Sequence, residues 1–359
     1  MPDPVTFPPS PPLPLFDEAS EPAPPALVDA WPGSAPFRLT GFFERGRFHP
    51  ILAAFLVFTG AFIVFNLIGG VILAVPLAMD IVSGSGEVPV DNAQLLAENG
   101  GLLLVGNSVG QFVGFALLAF WAAWLSTRDV GPFLRLRAPD AAGLALASAG
   151  WVALVPVVQW LGAINASLPI PEALRGMDEM RADLIEGFLM HSGLPTWALF
   201  LGLAVTPAIC EELLFRGYLQ RQVERRLGAA WTIVLVGVFF GLYHLTATQL
   251  LPLAALGVYL CFVVWATGDL WSGVLVHLLN NGLAVLASAY VRSQPDLDLE
   301  SIEAMETPWY FVASGIVGTA VLCRVLWSRR QALTGGRPDA MPAAPAPRGA
   351  PSLTPLPTP

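Results

Sequence analysis

Lysine is absent from this chain of 359 residues: all 18 basic residues are arginines. Together with the richness in Ala, Gly and Pro, that absence reflects codon bias rather than mechanism. Charge of either sign is scarce, at 13% of residues, against 55% hydrophobic and a mean hydropathy of +0.62. Such values exclude a soluble globular domain and indicate a polytopic membrane protein. The net charge of −9 is spread over loops and tails, and no basic patch points to nucleic acid. Cysteine is nearly missing as well. Cys210, Cys261 and Cys323 stand in apolar segments without CxxC spacing, which argues against a disulfide framework. Residues 1–36 hold no arginine and no apolar stretch, so they do not read as a cleaved signal peptide. Rich in Pro and Ala, they are expected to form a disordered tail, as are residues 332–359.

What is present is apolar length. Eight segments meet the requirement of about 20 apolar residues for a transmembrane helix. They cover approximately 50–79, 101–125, 142–164, 194–215, 229–245, 250–267, 270–291 and 308–327. The fifth and sixth are short and separated by a few residues, so full crossing is not assured by length alone. The fold expected over 37–331 is an all-α transmembrane bundle of about eight helices. Residues 37–49 mix Arg38, Arg45 and Arg47 with Phe37, Phe42, Phe43 and Phe48, a pattern suited to the membrane interface. Arginines precede the first segment, fill 126–141 and 216–226, and follow the last segment. Loops 80–100, 165–193 and 292–307 are acidic. The positive-inside rule then places both termini in the cytoplasm, in a cell (inner) membrane. Asn165-Ala166-Ser167 matches a glycosylation sequon, a match short enough to arise by chance.

Polar groups break into the second half of this apolar pattern: Glu211, Glu212 and Arg216, then His244, then His277 with Asn280 and Asn281. Ionisable groups at membrane depth cost a few kcal/mol each, so by default they mark function. Glu212 and Arg216 stand one helical turn apart in the favourable order for an ion pair. Glu211 therefore points elsewhere and is free to act as a base. Pro207 lacks an N–H and is expected to kink the helix just before the acids. Gly237 and Gly241 form a small-residue stripe for close helix contact, and Phe240 and His244 share that face. A turn at Leu227-Gly228 sets Glu211 and His244 each 16 residues from the tip, about 24 Å in and at one level. His277, about 12 Å in from a turn at Gly268-Asp269, reaches that level only if the first hairpin projects further. His277 and Asn281, again one turn apart, could donate to developing negative charge. Asn280 and Asn281 could equally cross-link helices.

Glu211-Glu212-x-x-x-Arg216, Phe240-x-x-x-His244 and His277-x-x-x-Asn281 together resemble the CPBP family. That family comprises intramembrane proteases, including type II CAAX prenyl endopeptidases and bacterial Abi-type proteins. The resemblance spans about 195–295. It implies a helical bundle with a cytoplasm-facing, water-filled cavity where Glu211 and His244 activate water for peptide hydrolysis. It further implies that His277 and Asn281 stabilise the oxyanion, and that Glu212, Arg216 and Phe240 support the site. Metal-free chemistry is expected, since the chain has no HExxH. A zinc ion, if used, would be held by Glu211, His244 and His277. The expected partners are the bilayer and a peptide or protein substrate, lipidated in the CAAX case, or a bacteriocin precursor. A proton- or ion-coupled transporter and a non-catalytic scaffold or immunity protein are the competing readings; no inverted repeat favours the former.

Overall fold

The computed structural model describes residues 27–28, 37–83, 92–294 and 307–334. The tails expected to be disordered fall outside the described residues, apart from a two-residue antiparallel pairing of β1 (Leu27–Val28) with β2 (Phe37–Arg38) and the last helical residues before 335. The rest is helical, and the all-α bundle is as expected. Seven of the described helices are long and apolar enough to cross a membrane. The longest, Thr196–Tyr243, is two rods, because Gly228 interrupts it with φ 70° and ψ 174°. An L side chain rarely adopts such a φ, and glycine adopts it freely.

The long apolar helices are α1 (Pro50–Ser83), α2 (92–126) and α3 (Ala141–Ser167), then α5 (196–227) with the shorter rod α6 (229–243) beyond Gly228, and α7 (Leu250–Thr267), α8 (Leu270–Arg292) and α9 (Trp309–Thr334). One helix was not foreseen. The acidic stretch expected to be a loop contains α4 (Glu172–His191), a helix too charged to cross. Its charges alternate with Leu174, Met177, Met180 and Ile185, an amphipathic spacing that the density of acids obscures in the sequence.

Local chemistry explains the turns. Gly268 closes α7 in the left-handed conformation, its N–H donating to Val264 O, and Asp269 at once caps α8 by accepting from Ser272 N at 2.8 Å. Asp140 caps α3 in the same way through Gly143 N. Phe42, Phe43 and Phe48 cluster at ring separations of 5.5–5.9 Å around a short helix, Phe42–Arg45, before α1. The six residues between α6 and α7 are pinned from two sides. Asn165 donates to Ala247 O and accepts from Leu251 N, and Asp178 of α4 accepts from Thr248 N at 2.7 Å. Asn165 is buried with its carboxamide engaged at both ends, which removes it as a glycosylation acceptor.

Helices α6 and α7 approach on glycine. Gly237 lies against the Val258 backbone, Gly241 against Ala254, and Gly257 against the Gly237 carbonyl. The Gly237-x-x-x-Gly241 stripe therefore packs within one chain. A Cβ at Gly257 would collide with that carbonyl and with the Phe240 ring, and backbone gives way poorly. Gly257→Ala is expected to destabilise the protein by about 1–3 kcal/mol, read as a lower melting temperature in detergent. An unchanged melting temperature would mean that the α6–α7 contact is looser than described.

Candidate active site

The α5–α6 hairpin sets the level of the site. Phe215 of α5 packs on Phe240 and Tyr243 of α6 with ring centroids 5.1 and 5.2 Å apart, which a continuous helix could not allow. Phe215 precedes Leu227 by 12 residues and Phe240 follows Gly228 by 12, so the reversal is symmetric about the Leu227-Gly228 pair. Glu211 and His244 are each 16 residues from that pair, four beyond the stacked Phe215 and Phe240. Phe58 of α1 seals this aromatic cluster against Phe215, Phe239 and Tyr243.

Glu212 is the hub. Its Oε1 accepts from Arg216 Nη1 at 2.8 Å and from His277 Nδ1 at 3.0 Å. Glu212 and Arg216 have no exposed surface, and His277 is 3% exposed. Two charges removed from water this completely are tolerable only when paired and hydrogen-bonded. Arg216 also donates to Gly257 O at 3.2 Å and lies over the Phe240 face at 4.2 Å, while its Nε has no partner among the described residues. A Cβ on Gly273, one turn before His277, would lie 2.9 Å from Glu212 Oε2. The Glu212–His277 bond also satisfies the depth requirement set by the sequence. Leu270 N donates to Arg135 O while Leu134 lies against Gly217, so α8 starts beside Gly217 and not beside the hairpin tip.

Each histidine has one nitrogen committed. His244 Nδ1 is 2.7 Å from Phe240 O, and a carbonyl can only accept, so Nδ1 carries the proton and Nε2 a lone pair. His277 Nδ1 likewise holds its proton against the Glu212 carboxylate. The Phe240 ring stands edge-on between the two imidazoles, with centroids 4.8 Å from His244 and 5.8 Å from His277. Phe240 thereby supports Arg216 and both histidines, a concrete reason for its place one turn before His244. Immediately after His244, Leu245 has φ 52°, an uncommon conformation for a branched side chain.

Glu211 is 6% exposed, and its Oε2 is buried with no hydrogen-bond partner among the described residues; the same holds for Glu212 Oε2. The two carboxylates differ at the other oxygen: Glu212 Oε1 is bonded to Arg216 and His277, and no side-chain hydrogen bond is made to Glu211 among the described residues. Asn281 bridges α8 to α5, the cross-linking alternative. Its Nδ2 donates to Leu203 O at 3.2 Å and its Oδ1 accepts from Asn280 Nδ2, leaving one amide N–H. Asn280 accepts from Trp151 Nε1 of α3 at 3.4 Å, the cross-linking role considered for it. Among the described residues no three His, Cys, Asp or Glu side chains lie at metal-binding spacing.

Three groups in this network went unread in the sequence. The Glu212–His277 bond and the Gly257 carbonyl join residues far apart in the chain and leave no local trace. Gly273, at i−4 from His277, carried a signal, since a glycine one turn from a buried histidine marks a close approach.

No curated protein and no solved structure matches the chain. All three motifs, and with them every contact of Glu212, lie in one stretch of this multi-pass bundle, residues 193–283, and that stretch matches the family described as type II CAAX prenyl endopeptidase, Rce1-like.

Proposed function

We propose that the protein is an integral-membrane endopeptidase in which Glu211 is the general base. The observation that carries this reading is the contrast between two adjacent buried carboxylates. Each keeps an unpartnered Oε2, but Glu212 is held through Oε1 by Arg216 and His277, whereas no side-chain hydrogen bond anchors Glu211 among the described residues. A base must be free to meet a water, and a carboxylate already anchored by an arginine and a histidine is the less available of the two.

In the proposed reaction a water donates one hydrogen to Glu211 and the other to the His244 Nε2 lone pair. Its oxygen attacks the carbonyl carbon of the scissile peptide as Glu211 takes the proton. Charge on the carbonyl oxygen is met by the free amide N–H of Asn281 and by His277 Nε2, which donates when the ring is doubly protonated. Glu211 then returns its proton to the departing amine, and the C–N bond breaks to leave a carboxylic acid and an amine. The steps as proposed use only these side chains and water. The substrate class is a peptide or protein, either a prenylated C-terminal tail or an unlipidated segment such as a bacteriocin precursor. The arginine distribution supports a cell-membrane location with both termini cytoplasmic.

The test uses the full chain in liposomes with matched prenylated and unprenylated peptides, products being identified by mass. Cleavage that survives exhaustive chelation within twofold, in protein free of bound zinc, is the expected result. Loss of cleavage on chelation with recovery on adding zinc would overturn the metal-free mechanism. Substrate-driven ion flux without cleavage would favour transport.

A further inference from the structure

Pro207 interrupts α5 one turn before the two glutamates, and three successive carbonyls on its N-terminal side are taken by side chains. Leu201 O accepts from the Thr206 backbone N–H, a five-residue register, and from Thr206 Oγ1 at 2.8 Å. The next bond in that register would run from residue 207 to Gly202 O, but proline has no N–H to give. Asn107 Nδ2 of α2 supplies it instead, at 3.3 Å. In the ordinary four-residue register the carbonyl deprived by Pro207 is that of Leu203, and Asn281 Nδ2 of α8 supplies that one at 3.2 Å. Whichever register is counted, a carboxamide from a neighbouring helix replaces the missing donor. Unsatisfied backbone in a bilayer costs several kcal/mol per group, and a proline persists in a spanning helix when neighbours re-satisfy the groups it frees.

We infer that Asn107 is a positioning residue for the site. With Asn281 it holds the offset α5 backbone that Pro207 creates and thereby fixes the direction of Glu211 and Glu212. The inference rests on the proteolytic reading of Glu211. Asn107 lies in α2, outside residues 193–283. Its own orientation is set one turn on by Gln111, 5% exposed, whose Nε2 donates to Asn107 Oδ1 at 3.3 Å. With Oδ1 occupied as an acceptor, Nδ2 is the end that faces Gly202.

The experiment is a double-mutant cycle between positions 107 and 207, read both in stability and in peptide cleavage. Asn107→Asp keeps the size of the side chain and removes the donor. It is expected to lower the melting temperature in the Pro207 background by at least twice as much as in Pro207→Ala, where the new backbone N–H can serve the freed carbonyls. Equal losses in the two backgrounds would overturn the cap. On the wild-type background Asn107→Asp is expected to lower kcat at least tenfold with KM within twofold. Ser108→Ala, which loses only a bond to Leu104 O of its own helix, should change neither. An unchanged kcat in Asn107→Asp would leave the cap purely structural and overturn the positioning role. Absence of cleavage by wild-type protein would instead remove the proteolytic reading, while the stability cycle still decides the cap.

Discussion

Glu211→Gln is expected to fold as well as the wild type and to lose about 10²–10⁴-fold in kcat, the range attached to a positioned general base. The amide has nearly the shape of the carboxylate but cannot take a proton from water. Stability should hold because Glu211 makes no ion pair: its Oε2 has no partner among the described residues, and the side chain is 6% exposed. Removing a buried carboxylate that nothing compensates deletes a desolvation penalty rather than a contact. Single-turnover cleavage of a peptide, followed beside a thermal melt, separates the two effects. Cleavage within tenfold of wild type would show that another group is the base.

Arg216→Met should behave in the opposite way, as a folding defect first. It strands Glu212, which has no exposed surface, with His277 as its remaining partner. It also deletes the bond to Gly257 O and the cation over the Phe240 ring. Breaking a buried pair from one side costs about 3–5 kcal/mol, because the surviving charge is left in a medium that cannot solvate it. The double variant Glu212→Gln with Arg216→Met should recover much of that loss, since no charge is then stranded, while cleavage stays low because His277 loses its ionised anchor. Denaturant titration in detergent micelles measures all three proteins. A double variant no more stable than Arg216→Met would mean that packing, not the stranded charge, sets the effect.

Much of this arrangement could be read from the chain. Spanning rods follow from apolar length, the Glu212–Arg216 pair from one-turn spacing, and the Gly268-Asp269 turn from a left-handed residue beside an acceptor side chain. The reversal at Leu227-Gly228 followed from the end of the arginine-rich stretch, and the Phe215–Phe240 stacking is symmetric about it. The remainder depended on reach across helices. Nothing near His277 announces that its Nδ1 will find Glu212, and nothing near Asn281 announces Leu203. Helix α4 was missed because dense charge obscured its apolar period. Asn107 and Gln111 stand one turn apart in an apolar segment, a visible polar signal, yet neither is ionisable and neither belongs to a motif.

The Glu212–Arg216 pair has a consequence for biosynthesis. Both residues belong to one segment, so α5 carries its own counter-ion before His277 and the Gly257 carbonyl have been translated. During insertion the i,i+4 contact can already form as the helix winds, and α5 presents the lipid with a neutralised couple plus Glu211 instead of three separate charges. The later helices then arrive at a prepared anchor, with His277 and Gly257 docking onto a pair whose geometry already exists. Exchanging residues 212 and 216 would keep composition and pairing while pointing the acid away from α8. A chain altered in that way should still enter the membrane and then fail at assembly.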